Sequence, residues 1–226
     1  MPPEERFVCR FAAEPPQEQS PYGRWAEQLT TEFLAACLRV QPEEGDEIGE
    51  AGDLVFFPDR TWSGRTYVPV TSRTSTGMDL FGYVAYTPGD PEADDPDDRE
   101  PSHFAAVADY TPETAENNPE WKLDICDEVI GGWRGEGSKV AAMTLVWGVS
   151  LTRGGVIATA ELADLAVDQC TLTDDRFTLV APDAYRGDFL EIKLFNVRGE
   201  ELARESLYAD DGEDEDEDEA EPPAVA

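Results

Sequence analysis

From Val140 to Tyr208 the chain presents one apolar or alternating segment after another, with turn residues between them at intervals of roughly ten residues. Val140 to Leu151 is a near-continuous apolar run, Gly154-Gly155 breaks it, and Val156 to Leu162 alternates. Thr171 to Val180 reads as a further strand. In Phe189 to Phe195, Leu190, Ile192 and Leu194 alternate with Glu191 and Lys193, which puts the apolar side chains on one face of a strand. Asn196-Val197-Arg198-Gly199 then turns the chain into a last strand. Spacing this short favours antiparallel pairing in a sandwich or barrel over βαβ units, whose parallel strands need a long crossover.

Upstream the period is different. Ser20-Pro21 reads as an N-cap followed by proline at the first helical position. Trp25, Leu29, Phe33, Cys37 and Val40 then recur at steps of four and three, predicting one apolar face of a helix of about five turns that Pro42 stops. After an acidic linker, Gln41 to Asp53, the period falls to two. Leu54-Val55-Phe56-Phe57 is a short buried run, and Tyr67-Val68-Pro69-Val70 is a strand whose proline favours a sheet edge. Met78 to Tyr86 alternates as a third, after a polar hairpin loop from Thr71 to Gly77, and Phe104 to Tyr110 is a candidate fourth. Asn118-Pro119-Glu120 repeats the cap-plus-proline signal. Trp121, Ile125 and Val129 follow four apart and Gly131 ends the run, which predicts a second helix of about three turns, although Trp121, Leu123 and Ile125 also fit a strand.

The fold class expected is therefore mainly β (α+β): an antiparallel β-sandwich or barrel-like domain with one or two flanking helices. Residues 20–208 make a single β-rich globular domain. Residues 1–19 form an extended N-terminal segment whose patch Phe7 to Phe11 is able to add an edge strand, and residues 209–226 form a disordered acidic tail.

Charge narrows the partners. Fifty acids against 17 bases give a net charge of −33, and Asp210 to Glu221 alone holds ten carboxylates and no base. Such a field repels nucleic acid and anionic membranes and attracts basic proteins. Three lysines, Lys122, Lys139 and Lys193, make the surface Lys-poor, which general adaptation to a salty cytoplasm also explains. No apolar run approaches the ~18 residues that cross a bilayer, and Met1-Pro2-Pro3-Glu4-Glu5 does not open a secretory signal. Cys9, Cys37, Cys126 and Cys170 are scattered without paired spacing, and the single histidine, His103, has no ligand neighbour in sequence. These features predict a cytoplasmic, soluble protein with reduced thiols and no metal or cofactor.

No catalytic signature emerges. Gly132 to Gly137 has the glycine spacing of a phosphate-binding loop, but Ser138-Lys139 reverses the order that such a loop requires. His103 reads as an exposed surface histidine, and no G-x-S-x-G elbow occurs. Fifty acids make paired carboxylates trivially available, so their presence carries no signal for a glycosidase. The loop Asp90 to Asp98 is rich in oxygen ligands but lacks the spacing of an EF-hand. Two glycine-containing turns place tryptophan beside arginine: Arg60, Trp62 and Arg65 in one, Trp133 and Arg134 in the other. Those residue types dominate interface energies, and if the two turns share one end of the fold they form a candidate binding site; otherwise each tryptophan plugs the end of a sandwich. The first expectation is a non-catalytic acidic interaction protein (a binder, inhibitor, immunity-type or assembly factor) acting on a basic protein partner. The alternative is a small-ligand or carbohydrate-binding β-sandwich, extending to a carboxylate-dependent enzyme.

Overall fold

The computed structural model describes residues 26–95, 97–134, 140–183 and 189–207. The segment 1–19, Trp25, residues 135–139 of the glycine-rich stretch and the tail 209–226 lie outside the described residues. The helix, α1, spans Ala26–Cys37 and buries Leu29, Phe33 and Ala36 along one stripe. It closes through turns in which Arg39 N donates to Ala36 O and Val40 N to Cys37 O, ahead of Pro42.

Twelve strands follow, all paired antiparallel among the described residues. β1 (Ala51–Phe56), β2 (Arg60–Trp62), β3 (Arg65–Thr74), β4 (Asp79–Thr87) and β5 (Ser102–Thr111) form a first sheet in the order β1-β3-β4-β5, with β2 pairing β3 beyond the end of β1. The rest are β6 (Leu123–Arg134), β7 (Val140–Ser150), β8 (Ile157–Leu162), β9 (Leu165–Thr171), β10 (Arg176–Asp183), β11 (Leu190–Phe195) and β12 (Glu201–Ser206). The second sheet has the order β10-β7-β6 and the third β12-β11-β8-β9.

The three sheets and the helix stack in layers, and side-chain alternation decides which faces meet. α1 lays Leu29 and Phe33 on Val68, Val70 and Val84, on one face of the first sheet. The opposite face, with Phe57, Tyr67 and Ala85, packs on Met143, Leu145 and Trp147 of β7. Val146 of β7 points the other way, joining Phe177, Leu179 and Ala181 of β10 against Ala158, Ala160, Leu190, Ile192 and Leu194 of the third sheet. β7 and β10 of the second sheet are therefore covered on both faces. That explains why Val140 to Leu151 is nearly continuous in apolar residues where an outer strand alternates.

Four sequence expectations are corrected. The second expected helix is strand β6, paired with β7 from Leu123 opposite Ser150 to Arg134 opposite Val140. Residues four apart share a face in a strand as well as in a helix, so Trp121, Ile125 and Val129 suited both, and burial against β7 decided. Tyr67-Val68-Pro69-Val70 lies inside its sheet rather than at an edge, because β3 is flanked by β1 and β2 on one side and β4 on the other. Pro69 is tolerated because its missing N–H faces the interruption between β1 and β2, where its carbonyl accepts Phe57 N at 3.0 Å. The polar hairpin loop is shorter than expected, since β3 runs on through Thr74. Finally, Thr171 to Val180 is no single strand. Asp174 and Asp175, at φ 50° and 62°, make a two-residue turn closed by reciprocal hydrogen bonds between Thr173 and Arg176, joining β9 to β10.

Candidate ligand cleft

A concavity lies where the first sheet rests on the second. It is a cleft of about 390 Å³ open to solvent at one side. Val55 of β1, Phe57 just beyond it, Phe81 of β4, and Trp147 and Val149 of β7 supply apolar walls. Phe81 and Trp147 lie tilted on one another with ring centroids 6.4 Å apart. Trp147 is fully buried, and its indole N–H finds no acceptor among the described residues.

The polar end is built by register. Arg73 of β3 faces Asp79 of β4 directly across the ladder, and its Nη1 donates to Asp79 Oδ1 at 3.1 Å. Its Nη2 donates to Glu116 Oε2 at 2.8 Å, so the guanidinium is shared by two carboxylates. β6 contributes Asp124 opposite Val149, and Gly148 beside it is bare because a Cβ there would lie 2.3 Å from the Asp124 carbonyl. Burial pushes the Asp124 carboxyl above the usual carboxylate range, the neighbouring Asp79 charge adds to this, and Arg73 opposes it. Cys126, one pleat along, lines the same cleft, and burial first and the surrounding aspartates second hold its thiol protonated. The described cysteines, Cys37, Cys126 and Cys170, are unbonded. Among the described residues no three His, Cys, Asp or Glu side chains converge as metal ligands, and no helix is long and apolar enough to cross a membrane.

The residues singled out from sequence sit elsewhere. Trp62 and Trp133 each pack on the cluster between the first two sheets, and the Trp62 ring lies over Gly131. Both are half-buried. Arg60 is 2% exposed and paired with Asp168 of β9 at 2.5 Å. Arg65 is half-buried and donates to the carbonyls of His103 at 3.1 Å and Ala85 at 3.4 Å. Only Arg134 of the five is exposed. His103 is exposed too, its Nδ1 3.0 Å from the hydroxyl of adjacent Ser102.

Sequence reasoning missed Arg73, Asp79, Asp124 and Trp147. The two aspartates were lost among fifty acids, and Trp147 was one apolar residue in a run of them. Arg73, one of few bases, inside a strand that faces an aspartate, was the one signal available. Comparison of the chain with protein-family models, with curated proteins and with solved structures finds no match in any of the three.

Proposed function

We propose that the protein is a small-ligand-binding β protein whose site is the cleft between its first and second sheets. The observation that supports this most is the cleft itself: about 390 Å³, walled by aromatic and aliphatic side chains, with Arg73, Asp79 and Asp124 converging at one end. Ligand sites of ordinary proteins have that size and that mixture. Nuclear magnetic resonance titration with a library of small soluble fragments tests it. Saturable shifts are expected at Phe81, Trp147 and Val149, and Val55→Trp, which adds bulk to the lining, is expected to remove them. Shifts confined to other parts of the molecule would sink the reading.

A second reading, charge-steered association with a basic protein in the cytoplasm, is favoured by the net charge of −33 and by half-buried Trp62 and Trp133, the latter next in sequence to exposed Arg134. Long-range charge acts on encounter and desolvated anchors act on dissociation. Removing residues 209–226 is therefore expected to slow association, and Trp62→Ala to speed dissociation. A captured partner whose binding rates respond to neither change, nor to salt, would end this reading.

A further inference from the structure

Resting on the ligand-cleft reading, we propose that the cleft takes an organic cation: an ammonium group seated against Asp124, with an apolar body lying among Val55, Phe81 and Val149. The charge of the lining comes first. Asp79, Glu113, Asp124 and Asp127 contribute four carboxylates there and Arg73 a single guanidinium. That guanidinium already faces two carboxylates, at 3.1 Å to Asp79 and 2.8 Å to Glu116, so its charge is largely offset before an incoming anion arrives. Asp124 is the reverse case. It takes no ion pair or hydrogen bond from the described residues and feels Arg73 only at a distance. A half-buried carboxylate in that position lacks the close counter-charge that would offset its lost hydration, and an ammonium ion supplies it.

The walls favour the same occupant. Aromatic rings present negative faces to a cation, and the half-buried Phe81 and Trp121 line the same cleft as the carboxylate. A metal ion is a poorer match, since it asks for several converging ligands and the described residues offer no group of three. The volume suits an ammonium carried on one ring or a short chain.

Three probes of one size and shape separate the possibilities: benzylammonium, neutral benzyl alcohol and anionic benzoate, each titrated into the full chain at one ionic strength and followed by calorimetry and by the cleft resonances. Benzylammonium is expected to bind about tenfold or more tightly than benzyl alcohol, with benzoate weakest. Asp124→Asn, verified as folded by its melting curve, is expected to bring the ammonium and alcohol affinities together. Equal affinities in the parent chain, or tighter benzoate, would overturn the cation assignment while leaving the cleft a ligand site. A preference that survives Asp124→Asn overturns the assignment to that residue. If none of the three saturates and no cleft resonance moves, the ligand-cleft reading falls with it.

Discussion

Arg60 and Asp168 show how a charged residue in a turn becomes part of the interior. β2 carries the guanidinium under the first sheet until its side chain is 1% exposed, and β9 meets it with a carboxylate that also accepts Val180 N and Gln169 N. The contact ties the first sheet to the third across β10. Its Nε and Nη1 find no acceptor among the described residues, so the arrangement is only partly satisfied. Removing one partner strands a buried charge. Arg60→Met is expected to cost about 3–5 kcal/mol in chemical denaturation, and adding Asp168→Leu to return much of it. Asp124 behaves oppositely. Its carboxyl titrates above the ordinary range because burial disfavours its charge, so the folded state holds that proton more tightly than the unfolded chain. The stability it contributes is present at low pH and is lost as pH rises through the raised value. Asp124→Asn, which does not titrate, is therefore expected to melt higher than the parent at pH 7, with the gap narrowing as pH falls. A gap that widens on acidification would refute the sign.

At the scale of elements, α1 and β6 make the contrast. α1 was legible because its stripe at steps of three and four has no strand equivalent, and Leu29 and Phe33 are fully buried as that stripe requires. Phe33→Ala is expected to cost about 3–5 kcal/mol, read from denaturant midpoints, because the site is closed by the sheet beneath it. β6 carried a pattern compatible with both structures, and its partner strand β7 decided. Its Gly131 does not end a helix; it leaves room for a ring. A Cβ there would lie 2.7 Å from two carbons of the Trp62 indole. Gly131→Ala is expected to displace Trp62 into solvent at a cost of about 1–3 kcal/mol, with a red-shifted tryptophan emission as the readout. Unchanged emission and stability would mean that the ring has another place to go.

The whole molecule combines a middle sheet in which β7 and β10 are covered on both faces with a large negative net charge. Layering three sheets lets a chain of 226 residues bury Trp147, Phe177 and Met143 completely. The charge of −33 works against compaction through self-repulsion. Along β6, burial and neighbouring acids raise the carboxyls of Asp127 and Glu128 as well as Asp124, a local form of the same repulsion. Salt shortens the reach of that field from about 10 Å at 0.1 M to about 3 Å at 1 M. The melting temperature is therefore expected to rise over that interval, and the rise to be smaller after truncation at Tyr208. A melting temperature indifferent to salt would show that the acidic surface is not a destabilising load.

Fold class, the apolar face of α1, the last hairpin through Asn196 and Gly199, and the acidity were all determined by the sequence alone, because each depends on periodicity, turn chemistry or composition within a short window. The identity of β6, the interior position of Pro69, the Asp174-Asp175 turn and the cleft were decided only by the tertiary structure. In each of these the deciding neighbour is remote in sequence. Asp124 is one carboxylate among fifty until β4 brings Asp79 beside it and β7 closes Val149 and Trp147 against the first sheet. Burial and the nearest opposite charge set what a carboxylate does, and both are properties of the packed chain rather than of the residue.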